Sequence, residues 1–131
     1  MTSRQIPEKY FALLKGRAFA HLATLMPDGS PQVTPVWIDT DGEYILVNTA
    51  RGRQKDLNMQ RDGRVALAIQ DPENPYSYVQ VRGLVAMRTE NGAHEHIDEL
   101  SLRYTGHAYR ADDPQQARVI YFIQPLNKLD E

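Results

Sequence analysis

Apolar positions recur at every second residue over much of this chain, and three stretches of helical spacing interrupt them. Ile6 to Lys15 sets Tyr10, Phe11, Leu13 and Leu14 on one broad face, with Pro7 suited to a first turn and Gly16 to a stop, which predicts a short amphipathic helix. Period two then takes over in AFAHLATL, PQVTPVWID and EYILVNT, separated by Pro27-Asp28-Gly29 and by Asp39-Thr40-Asp41-Gly42. Tight turns return a chain alongside itself, so these three runs predict an antiparallel meander. Pro35 inside the second run has no N–H to give a ladder, and points to an edge, a bulge, or a place where something other than a strand meets the backbone.

Downstream, NTARGRQKDL (Asn48 to Leu57) leads into a short helix read as mostly solvated and stopped at Gly63. Val65, Leu67 and Ile69 form the next strand, DPENPYS a loop, and YVQVRGLVAMRT a long strand in which Gly83 predicts a bend or bulge. Ile97, Leu100 and Tyr104 predict a helix over Ala93 to Tyr104, TGHAYRADDPQQ a loop, and Val119, Tyr121 and Ile123 a closing strand. The expected architecture is mainly β, an antiparallel six-stranded barrel with short helices, because closure removes exposed strand edges. Residues 1–131 are read as one domain.

Composition narrows the function. A net charge of −2 leaves no overall field to steer the chain to nucleic acid or to an anionic membrane, so any positive site must be local. Cysteine is absent, which removes disulfides and thiolate chemistry. No apolar run approaches the ~20 residues of a membrane span, and MTSRQIPEKY lacks the apolar centre of a secretion signal. The expectation is a cytoplasmic protein without nucleic-acid or membrane partners.

Local positive charge is found in NTARGRQKDL. Where a strand leaves and a helix begins, several backbone N–H groups lack partners and the positive end of the helix dipole lies close, an arrangement that accepts anions. Asn48, Thr49 and Ala50 lead in, Thr49 offers a hydroxyl, Gly52 permits close backbone approach, and Arg51, Arg53 and Lys55 add full charges. Phosphate or several carboxylates suit this chemistry, although a solvated charged face has the same pattern. Cations at a helix N-terminus cost roughly 0.3–1 kcal/mol each, a cost that an anion would offset.

In LATLMPDGSPQVTPVWI, YILVNTARGRQKDLNMQRDGRVALAI and DPENPYSYVQVRGLV the chain resembles the pyridoxamine 5′-phosphate oxidase-like split β-barrel flavoproteins, and within them the subgroup that uses the deazaflavin coenzyme F420. The resemblance implies a homodimer with two cofactor sites between subunits. It implies a phosphate beside Thr49, Arg51, Arg53 and Lys55 with Asn58 nearby, and a tricyclic ring along Gln32, Val33, Thr34, Pro35, Val36 and Trp37. Tyr76 and Tyr78 are expected to come from the neighbouring subunit. The vitamin B6 oxidases of the family use FMN and carry cations on the ring-facing strand, where this chain has Gln32 and Trp37. The deazaflavin's phosphate and polyglutamate tail better suits three cations.

The activity so implied is hydride transfer between F420 and a small conjugated organic acceptor, with protein groups supplying position and desolvation. Tyr76, Tyr78 or a water is the candidate acid. An FMN-binding flavoprotein and a non-catalytic flavin or haem carrier are the competing readings. His94-Glu95-His96 does not predict a metal site, since i and i+2 on a helix face apart, and is read as solvated. No metal is expected.

Overall fold

The computed structural model describes residues 6–111 and 113–129. A 3-10 turn (Glu8–Tyr10) runs into α1 (Phe11–Leu14), followed by β1 (Phe19–Leu25), β2 (Pro31–Trp37), β3 (Asp39–Thr40), β4 (Ile45–Ala50), α2 (Gln54–Arg61), β5 (Arg64–Asp71), β6 (Asn74–Thr89), α3 (Ala93–Thr105) and β7 (Arg118–Pro125). Seven strands, rather than the expected six, make one antiparallel sheet in the order β2-β1-β5-β6-β7-β4-β3. The extra strand is the two-residue β3, cut from the predicted second run at Ile38.

That cut also replaces the meander. β2 pairs with β1 alone and β4 pairs with β3 and β7, so β2 and β4 are not ladder neighbours. The two outermost strands, β2 and β3, are separated by one residue, the fully buried Ile38, so the sheet curls until its edges meet. Inside the curl, Leu22, Val47, Leu67, Ile69, Val81, Tyr121 and Ile123 form the core. Pro35 stands opposite His21 on the edge strand, where a missing donor costs no ladder bond on the open side.

Two further expectations are corrected. DPENPYS is not a loop: β5 runs to Asp71 and β6 starts at Asn74, with Pro72 and Glu73 between them. At Gly83 the ladder is regular, and the register shift falls between Val85 and Met87. Gly83 is required for close approach, because a Cβ there would lie 2.5 Å from Ile123 Cγ2 and 3.2 Å from the Gln124 carbonyl oxygen.

Candidate functional site

β4 ends in Asn48, Thr49 and Ala50, all buried, and the chain reverses through Arg51 and Gly52 into α2. Gly52 takes φ +93°, the left-handed region that favours glycine, and its N–H donates to Asp56 Oδ2 at 2.8 Å. Asp56 is completely buried and also accepts from Arg88 Nε at 3.0 Å and from the Tyr121 hydroxyl at 2.6 Å. Burial alone would raise the pKa of this carboxyl, but Arg88, Gly52 and Tyr121 outweigh it and hold it below the usual range. The first turn of α2 is therefore pinned from below by an ionised carboxylate.

α2 is not the solvated helix expected from its sequence. Lys55, Asp56, Asn58 and Met59 are buried, while Leu57 points outward at 48% exposure. The polar members of the helix face the barrel because partners wait there: Asn58 donates to Thr24 Oγ1 at 3.0 Å and accepts from Arg61 at 2.9 Å.

Above this turn lies a groove of about 210 Å³. One wall is uncharged, made by Phe19, Pro35, Val36, Trp37 and Ile97. Trp37 is braced from behind by Tyr104, with ring centroids 5.1 Å apart at 16°, and Tyr104 accepts the Ile38 N–H at 3.1 Å. The other wall carries Arg53, Lys55 and Arg118. Lys55 and Arg118 are each only 8% exposed, and among the described residues none of the three cations has a carboxylate within salt-bridge distance. Burial, and after it the charges of Arg53 and Arg118, lower the Lys55 pKa. Burial likewise lowers that of Arg118, with Arg53 adding to the effect against Tyr109.

Of the residues singled out from sequence, Pro35, Val36, Trp37, Asn48, Thr49, Ala50, Arg53 and Lys55 meet in this groove. Arg51 turns away to Glu90 at 3.1 Å. Gln32, Val33 and Thr34 lie further along β2, and Asn58, on the buried face of α2, has Gln32 Oε1 at 3.5 Å. Tyr76 and Tyr78, 90% and 55% exposed on the β5–β6 hairpin, do not line the groove of their own chain. Sequence reasoning missed Arg118 and Tyr109. Arg118 begins β7 directly opposite Ala50, and its guanidinium lies 4.9 Å over the Tyr109 ring. It also missed His96, which is buried and not solvated.

Over residues 6–125 the chain matches the family model of pyridoxamine 5′-phosphate oxidase. Among solved structures it is similar to F420 reductase at 35% identity, covering 93% of this chain and 97% of that one with a TM-score of 0.80. A conserved protein of Mycobacterium tuberculosis is 23% identical over 97% of this chain and 87% of its own, at TM-score 0.72. General stress protein 26 of Bacillus anthracis is 21% identical over 90% and 87%, at TM-score 0.67. At these last two identities the likeness speaks for the fold alone.

Proposed function

Since the chain belongs to the pyridoxamine 5′-phosphate oxidase family of split β-barrels, we propose that it is an oxidoreductase that holds coenzyme F420 in the groove between β2 and α2. One observation carries this reading: two buried cations, Lys55 and Arg118, stand beside Arg53 without a carboxylate among the described residues, facing an uncharged wall. Burying a charge unpaired is expensive, so a chain that keeps two such charges beside the exposed Arg53 is built for an anion from outside. A ligand with a phosphate at one end and a flat neutral ring at the other fits both walls.

Arg53, Lys55 and Arg118, with the Thr49 hydroxyl, would hold the phosphate, and the backbone of Pro35 to Trp37 would lie along the ring. When bound, the deazaflavin supplies hydride chemistry. The protein's part is to orient and to exclude water: Trp37, held by Tyr104, walls the groove together with the apolar Phe19 and Ile97. No side chain needs to act as a nucleophile. The likeness to F420 reductase supports the deazaflavin over FMN, as does a β2 without cations.

In the same reading two copies assemble through the exposed face that carries Val33, Tyr76 and Tyr78, so that the hairpin of one copy reaches the groove of the other. Titrating the purified protein with F420 and separately with FMN, followed by cofactor fluorescence, tests the assignment. Saturable quenching of F420 with micromolar affinity is expected, together with reoxidation of reduced F420 by conjugated enones or imines in the presence of the protein. Binding of FMN alone would replace the deazaflavin reading by the flavin one.

A further inference from the structure

Four buried polar side chains run in line from the groove to β3: Arg118, Asn48, His96 and Asp39. Arg118 Nε donates to Asn48 Oδ1 at 2.9 Å. Asn48 Nδ2 donates to the Ala93 carbonyl at 2.9 Å and lies 3.1 Å from His96 Nδ1. His96 Nε2 is 2.9 Å from Asp39 Oδ2.

The protons in this line are determined by its two ends. Arg118 has no acceptor and the Ala93 carbonyl has no donor, so the Asn48 amide has one orientation, with its oxygen to the guanidinium and its nitrogen to His96. His96 Nδ1 must then present a lone pair, and the ring proton sits on Nε2, where Asp39 accepts it. Nor does Asp39 require a cationic imidazole, because Lys15 at 3.0 Å and Arg103 at 2.9 Å already balance its charge.

We propose that His96, as the neutral Nε2–H tautomer, is the positioning residue of Arg118: it fixes the Asn48 amide, and the amide holds the guanidinium in the groove wall above Tyr109. The inference rests on the reading of the groove as an anion-binding cofactor site. The alternative, a polar network that serves stability alone, predicts that ligand affinity and thermal stability fall together.

Two substitutions separate these roles because each keeps one ring nitrogen's function. His96→Asn keeps an acceptor near the Nδ1 position and gives up Asp39. His96→Gln keeps a donor toward Asp39 and gives up the acceptor for Asn48. In 15N-labelled wild-type protein, NMR should show His96 as the Nε2–H tautomer and a slowly exchanging Arg118 Nε–H. H96Q should speed that exchange and weaken F420 binding, each by about tenfold, the scale of a lost hydrogen bond to a charged group. H96N should keep both within about threefold of wild type, even where its melting temperature drops further than that of H96Q. An Nδ1–H tautomer in the wild type, or exchange rates and affinities that follow melting temperature across the variants, would overturn the proposal. If H96Q does not fold, the wild-type tautomer still decides. Should the exchange pattern appear in a protein that binds neither F420 nor FMN, the positioning role stands and the cofactor reading falls. Unchanged Arg118 exchange in H96Q, with wild-type protein that binds F420, would remove the positioning role and leave the cofactor reading in place.

Discussion

Ala50 faces Arg118 across the β4–β7 ladder, and this pairing sets a guanidinium from the end of the chain above the basic loop that follows β4. The groove's charge is therefore shared by two segments far apart in sequence. Replacing Arg118 by Ala should weaken F420 binding by tenfold or more, about 1.4 kcal/mol, as read by fluorescence titration. An unchanged affinity would take Arg118 out of the site.

Lys55 offers a test that needs no ligand. Its pKa is lowered, so the fold disfavours its charged form, and that penalty is fully present at neutral pH. The penalty fades as pH rises through the folded pKa toward the ordinary 10.5. Lys55→Met should accordingly raise the unliganded protein's stability at pH 7, and the advantage should shrink as pH approaches 10.5. Chemical denaturation across that range would show it, and a destabilised variant at neutral pH would contradict it.

Acid should act through Asp39 and Asp56. At Asp39 burial would raise the pKa, but the bonds from His96 and Lys15 and the Arg103 charge hold it well below the ordinary 3.8, and Asp56 is depressed as well. A depressed carboxylate contributes stability above its unfolded pKa and loses it as pH falls through the folded one. Wild-type stability should thus decline below about pH 3.8, and Asp39→Asn should be less stable at pH 7 but flatter across the acid limb. Parallel curves for the two proteins would exclude this role.

Gly83 tests the packing of the barrel apart from the groove. Gly83→Ala forces a methyl carbon against Ile123 and the Gln124 carbonyl, and should cost about 1–3 kcal/mol in urea denaturation. A neutral result would mean that β6 and β7 separate at no cost.

The proposed two-copy assembly predicts sedimentation at twice the mass of the chain. Val33→Glu, on the exposed face of β2, should give a single-chain species with weakened F420 binding and an intact far-UV spectrum. A wild-type protein that sediments as one chain would remove the neighbouring subunit from the site.

The sequence was legible wherever the physics is local. Alternation found every strand longer than two residues, and the Asn48 to Leu57 pattern located the loop between β4 and α2. Strand order was not legible, because one buried residue, Ile38, ends β2 and starts β3, and no local signal separates a kink from a continued strand. The burial of α2 was misread for a similar reason: Asp56 and Asn58 look solvated until Arg88, Tyr121 and Thr24 arrive from distant strands. Arg118 and His96 were missed because their importance comes from pairing and docking across some fifty to seventy positions, which spacing within one segment cannot express.

The central claim is that Arg53 and Lys55 face an anion from outside the chain, and calorimetric titration of F420 into wild-type protein and into the Arg53→Ala, Lys55→Ala double variant tests it most directly. We predict micromolar binding to the wild type and at least a tenfold loss in the variant, about 1.4 kcal/mol, with the variant's far-UV spectrum unchanged. Equal affinities in two folded proteins would contradict the account.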